Sequence, residues 1–219
     1  MDSSTAISTL QNDPDSEKRR EAIDYLILSR EYSRDVLYAL AIGLEDPDDG
    51  IKDLCSRVLS NIPKEFADNA AYVLAPLISH ENIEIRNLAG DILLNIGAEA
   101  VKWLTPYLGD SDHSSRQFAV ELLGKIGDPS AADEIARHLG DSDLNFVNAA
   151  IEALGKMKSC EFIDDIAALY HIEDFKPTII ESIGRMSSPQ SQEFLLQVMK
   201  SEEDPFYRLA AIDALATCG

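Results

Sequence analysis

The sequence is poor in the residues that mark catalytic or cross-linked proteins. Its 219 residues hold three cysteines, four histidines and one tryptophan. Cys55, Cys160 and Cys218 lie far apart with no CxxC pair, and the odd count argues against a disulfide framework. No run approaches the ~18 apolar residues of a membrane span. Met1-Asp2-Ser3-Ser4-Thr5 lacks the basic start and apolar stretch of a secretory signal. Positive charge is scarce too: 19 Lys and Arg stand against 39 Asp and Glu, a formal net charge of −20. Nucleic-acid binding requires a basic footprint that displaces counterions from phosphates, so nucleic acids and anionic lipid surfaces are excluded as partners. A partner held by charge is a basic protein, a basic peptide or a cation. Catalytic signatures are missing as well, with no Gly-rich phosphate loop, no HExxH and no GxSxG. The expectation is a cytoplasmic protein that is not an enzyme and carries no cofactor or metal.

What the sequence does contain is one helical unit written seven times. A small or apolar residue recurs in the middle of each second helix: Ala22, Cys55, Ala89, Ala119, Ala150, Ile179 and Ala211. Four residues downstream stand Leu26, Leu59, Leu93, Leu123, Leu154, Ile183 and Leu215. Three residues upstream stand Arg19, Lys52, Arg86, Arg116, Val147, Lys176 and Arg208, basic in all but one case. A fixed period of about 30 residues marks a solenoid, in which each unit buries its apolar face against its neighbours. The fold class expected is therefore all-α, a right-handed superhelix of about seven antiparallel helix pairs. One repeat domain is expected to span 1–219, with units near 4–30, 33–62, 66–96, 98–126, 129–157, 160–186 and 188–219.

The fourth unit shows why the helices form. Ala98 to Leu108 carries apolar residues at 101, 104 and 108, and Gly109-Asp110-Ser111-Asp112 then breaks the chain. From about Ser114 to Ile126, Phe118, Ala119, Leu122, Leu123 and Ile126 share one helical face. Asp residues in the turns cap the free N–H groups of the following helix, and Gly127 supplies its left-handed end. Asp110/Asp112 and Asp141/Asp143 are thus turn caps; their spacing is wrong for a calcium loop. Pro177 is tolerated only in a first turn, so the sixth second helix starts late. The first helix of the first unit reads as short, roughly Ser4 to Leu10. Cys55 sits in the Ala column as a small buried residue. The only tryptophan, Trp103, lies at core spacing on a first helix.

The strings GDSDHSSRQFAVELLGKIGDPSA and GDSDLNFVNAAIEALGKM resemble the HEAT-like repeat of the phycobilisome-lyase type, whose pattern is a DxD turn followed by V-R-x-x-A-x-x-A-L-G-x-I-G-D-P. The likeness covers all seven units and is closest in units three to five. It implies an armadillo-like α-solenoid. It says little about function, because such repeats occur in bilin lyases, adaptors and chaperone-like factors. It also implies that the basic column, Arg19, Lys52, Arg86, Arg116 and Arg208, is an interior ladder against turn carboxylates. Val147 departs from it. An iron hydroxylase on HEAT repeats requires several His-Glu pairs, whereas His80-Glu81 is solitary.

Two residues after the small column stand Asp24, Arg57, Asp91, Glu121, Glu152, Glu181 and Asp213, acidic in all but one case. In units three to five an amide precedes the acid by one helical turn: Asn87/Asp91, Gln117/Glu121 and Asn148/Glu152. Two readings of this stripe stand. It is a groove-lining surface for a basic protein or peptide, with amides holding the backbone and carboxylates taking Lys or Arg. Alternatively it is a solvated face on which Glu is a good helix former. Glu181 and Asp213 extend the first reading. The functional alternatives are a bilin-handling factor, or a regulatory piece of a larger protein. Ala210, Ala211, Ala214 and Leu215 do not make a polar cap, so the C-terminal end is expected to be covered by further repeats or a partner. Gly124, Gly155 and Gly184 form one more column, either for close helix contact or as a glycine floor.

Overall fold

Every second helix but one opens on an Asp or Asn whose side chain accepts an N–H from the first turn, satisfying a donor the helix leaves free. Asp15, Asp48, Asn82, Asp112, Asp143 and Asp204 do this at 2.8–3.0 Å. The computed structural model describes residues 1–218 and contains fourteen α-helices, with no strand among those residues. They form seven successive pairs: α1 (Ser3–Asn12) and α2 (Ser16–Ser29), α3 (Arg34–Ile42) and α4 (Asp49–Leu59), α5 (Ala67–Leu74) and α6 (Ile83–Ile96), then α7 (Ala98–Leu104) and α8 (His113–Ile126). The remaining pairs are α9 (Ala132–Ala136) and α10 (Leu144–Met157), α11 (Ile163–Ala168) and α12 (Lys176–Met186), and α13 (Pro189–Ser201) and α14 (Pro205–Thr217). This is an all-α solenoid of helix pairs.

The chain divides into two compact units, Met1–Trp103 and Leu104–Gly219. In the first, α1 packs on α2 and α3, α2 on α4, and α3 on α4 and α5. In the second, α8 packs on α10, α10 on α12 and α12 on α14, so the second helices stack in sequence. All seven members of the small column, from Ala22 to Ala211, are completely buried. The Leu/Ile column beside it is buried from Leu26 through Ile183. Cys55 fits the Ala column because Gly43, at the end of α3, stands opposite. A Cβ on Gly43 would lie only 2.4 Å from the Cys55 sulfur.

The glycine column of the second unit is a close-contact device, the first of its two readings. A Cβ on Gly124 would come within 2.8 Å of the Ala153 backbone, and one on Gly155 within 2.5 Å of Ser182. A Cβ on Gly184 would lie 2.9 Å from Ala214. Each second helix thus presents a glycine to a small residue on the next. Gly127 ends α8 in the left-handed conformation (φ 72°), whereas α10 ends on Lys158 in that same region (φ 55°).

Two expectations about helix ends need correction. The first helix α1 is not short: capped by Asp2 on Thr5 N–H, it runs ten residues. The short first helices are the central ones, α5 to α11, and in α5 and α7 the cause is proline. Pro76 and Pro106 each sit at the start of a 3-10 stretch, Ala75–Ser79 and Thr105–Gly109, so α5 and α7 stop early. The late start of α12 follows its sequence: Ile172 occupies the place of the capping acid, Glu173–Phe175 forms a 3-10 turn, and Pro177 falls in the first helical turn. Trp103 is half-buried, with its ring edge-on to Tyr72 and its Nε1 donating to Asp68 Oδ1 at 2.9 Å.

Candidate functional site

The turns before the second helices carry a repeated hydrogen-bond unit. Two residues before each capping residue, a side chain accepts the N–H of that capping residue: Asp13 from Asp15, Asp46 from Asp48, Asp110 from Asp112, Asp141 from Asp143 and Glu202 from Asp204. His80 does the same for Asn82 through Nδ1. Three of these turn acids also receive the basic residue of the preceding unit. Arg19 binds Asp46 through Nε and a terminal nitrogen, both at 2.7 Å, in a pair almost closed to solvent. Arg116 binds Asp141 and lies over the Phe146 ring, 4.3 Å from its centroid. Lys176 binds Glu202 at 3.2 Å and Glu173 at 2.9 Å, between the rings of Tyr170 and Tyr207. The turn acid therefore shapes its own loop and anchors the previous repeat. Asp141 is held below the usual aspartate range first by the Asp143 N–H, and further by Arg116. Burial pushes Tyr170 well above the ordinary phenol range, helped by its hydrogen bond to Glu202.

The ladder is not continuous. Lys52 pairs with Asp49 on its own helix, because the turn facing its register offers His80 instead of an acid. Arg208 is exposed, and neither it nor half-buried Arg86 forms an ion pair with the described residues. At Val147 both ends of the rung have changed, since Tyr170 takes the turn-acid position. Beside Lys52, a cleft of about 460 Å³ opens between α4 and α6, with Glu45, Asp49, Asp53 and Glu84 around an apolar floor of Leu44, Ile85 and Leu88.

The stripe of amides and acids falls on the second helices as follows. In the first unit, Asn87 and Asp91 are both exposed on α6. In the second, Gln117, Glu121, Asn148 and Glu152 are half-buried on adjacent helices α8 and α10, while Glu181 and Asp213 are exposed on α12 and α14. Gln117 Nε2 donates to Glu121 Oε1 at 2.7 Å. Asn148 Oδ1 is enclosed yet accepts no hydrogen bond. Sequence reading missed a row of cations one turn further on. Lys156 pairs with Glu152 at 2.7 Å, and Arg185 pairs with Glu181. The signal was available in the i, i+4 spacing of acid and base on one helix. Glu121 and Asp213 form no such pair. The stripe is therefore mixed in charge where it was expected to be acidic.

Among the described residues, no group of three or more His, Cys, Asp or Glu side chains is placed to hold a metal ion. No described helix is long and apolar enough to cross a membrane.

The sequence matches the HEAT repeats family over residues 71–155 and 101–176. Comparison with curated proteins gives no match. Among solved structures, the chain is similar to one from the complex of CpcE and CpcF of phycocyanin lyase from Nostoc sp. PCC7120, at 16% identity and a TM-score of 0.57. That likeness covers 66% of this chain and 97% of the other. Importin beta is similar over 99% of this chain and 36% of its own, at 16% identity and a TM-score of 0.56. At such identities the likeness is one of fold. Residues 71–176 of this chain match the HEAT repeats family, and the fold around them is an all-α solenoid of helix pairs.

Proposed function

We propose that the chain is a non-enzymatic, cytoplasmic interaction scaffold whose second-helix face takes a basic segment of a protein partner. The observation that carries this reading is the repeated amide–carboxylate pair on neighbouring helices. Gln117 and Glu121 on α8 are matched in register by Asn148 and Glu152 on α10, and the Asn148 amide oxygen is left without a donor. Buried polar groups normally find partners, so the half-buried Asn148 side chain breaks no hydrogen bond of its oxygen when it turns outward to accept an incoming N–H. The net charge of −20 supplies the long-range attraction for a basic partner. Lys156 and Arg185 sharpen the reading, because the partner must exchange with ion pairs already formed at Glu152 and Glu181. Exposed Asp91 and Asp213, which form no ion pair with the described residues, and Glu121, paired only with a neutral amide, are the carboxylates most available to it.

The test is a titration of a labelled Lys/Ser peptide by fluorescence anisotropy at low and high salt. Binding is expected at low salt and is lost at high salt, as screening requires. Reversing Glu121→Lys and Glu152→Lys together is expected to weaken it by about tenfold. Unchanged binding by this variant removes the stripe as the partner surface. A saturable shift in the visible spectrum on adding a bilin identifies a chromophore-handling factor instead.

A further inference from the structure

At two register positions on the second-helix face, the last unit differs in kind from those before it. Five and two residues before the small column, α8 carries Ser114 and Gln117, α10 carries Asn145 and Asn148, and the segment leading into α12 carries Asp174 and Pro177. On α14 the same positions hold Phe206 and Leu209, which are 64% and 58% exposed. A following helix pair does not account for them. Ser114, Asn145, Asp174 and Pro177 remain exposed, and Gln117 and Asn148 half-buried, in helices that are followed by another pair. Ile212 behaves differently, because its counterparts Val120, Ile151 and Ile180 are buried in such helices. Phe206 and Leu209 are thus apolar where the repeat stays open to solvent, and Ile212, three residues further along, extends their stripe.

We infer that Phe206 and Leu209 form an apolar anchor site for a partner segment that carries a bulky apolar side chain flanked by Lys or Arg. Large aromatic and aliphatic groups on an exposed helix face mark interaction surfaces, and such anchors hold much of an interface's energy. The flanking charge selects the partner's sign. Glu203, Asp204 and Asp213 are exposed around the patch; Arg208 is exposed beside them, and Lys176, against Tyr207, is already paired with Glu173 and Glu202. This rests on the proposed second-helix partner surface and adds what that stripe lacks, an apolar contact that survives high salt.

The test pairs two labelled peptides with two variants. One peptide is an amphipathic Lys/Leu sequence; the other has every Leu replaced by Ser at equal charge. The first variant, Phe206→Asn with Leu209→Asn, installs the residues α10 has at these positions, and circular dichroism confirms its fold. Wild-type protein is expected to bind the Lys/Leu peptide about tenfold more tightly than the Lys/Ser peptide, and the variant to lose that advantage. Equal binding of the Lys/Leu peptide by variant and wild type overturns the anchor. The second variant, Glu121→Lys with Glu152→Lys, separates the two ideas. If it weakens both peptides while the Asn variant changes nothing, the stripe stands and the anchor falls. If it changes neither while the Asn variant loses the Lys/Leu peptide, the anchor stands and the stripe falls. Sedimentation provides the remaining arm: self-association abolished by the Asn variant would make a second copy the occupant and overturn the basic-peptide assignment.

Discussion

His80 accepts the Asn82 N–H through Nδ1 at 3.0 Å, the bond that Asp46 makes to Asp48 and Asp141 makes to Asp143 through a carboxylate oxygen. With Nδ1 accepting, the ring proton sits on Nε2 and is donated to Glu45 Oε1 at 3.1 Å. The loop keeps its shape, but the turn itself offers Lys52 no anion, and Lys52 turns to Asp49 on its own helix. His80→Asp is therefore expected to keep the turn and complete the missing rung. The thermal midpoint should rise by about 1–3 °C, the scale of one partly exposed ion pair in a chain of this size. A fall in midpoint measured by differential scanning calorimetry would mean that the Glu45 contact matters more.

Gly155→Ala tests the close approach of α10 to α12. In an open helix this change is stabilising by about 1 kcal/mol, since alanine is the better helix former. Here the new methyl would meet Ser182 within 2.7 Å, at both its backbone and its side chain. Overpacking should win, and urea melts are expected to show a net loss of about 1–3 kcal/mol. Gly140→Ala, with open space around it, is the control and should lose far less.

Asp141 links the ladder to pH. Its folded pKa lies below its unfolded one, so it favours folding above the unfolded value and ceases to do so as pH falls through the folded value. Asp141→Asn is therefore expected to be less stable than wild type at neutral pH, by about 1–2 kcal/mol. The gap should begin to close as pH drops below about 4, the ordinary aspartate value, and vanish once pH has fallen through the lower folded value, where the wild-type carboxyl is protonated. Denaturant midpoints at a series of pH values read this directly, and a gap independent of pH would assign the loss to packing.

Thiol chemistry separates the cysteines. Burial pushes the Cys55 thiol up to about 12, and its side chain is closed to solvent, whereas Cys160 is partly open. A disulfide reagent should modify Cys160 first in the folded protein, and Cys55 only on unfolding. Prompt reaction at Cys55 would show that the α3–α4 packing opens readily.

The repeat was legible because burial imposes one constraint seven times. Ala22 through Ala211 occupy one place in seven similar helix pairs, and the larger Cys55 is admitted there by the vacancy at Gly43. The late start of α12 was legible too, since Pro177 permits little else. The ends of the first helices were less so, because Pro76 and Pro106 do not stop the coil but tighten it into 3-10 turns that keep Ile78 and Leu108 buried. The stripe was read one residue pair too short. Glu152 and Glu181 looked like free acids until Lys156 and Arg185 were counted on the same helices. The role of His80 was hidden because a neutral imidazole can replace a carboxylate as an acceptor but not as a counterion.

The double duty of the turn acid limits how such a chain can be recombined. A unit cut at its turn takes with it the acid of one rung and the base of the next, so each piece carries two unmatched halves. The piece holding Val147 would leave Asp141 unanswered if joined after Arg116 were lost, and it would suit only a neighbour with a neutral turn such as Tyr170. Likewise, Lys52 and His80 form a matched step that neither could enter alone. Duplication of whole neighbouring pairs preserves these matches, whereas exchange of single units breaks two at a time.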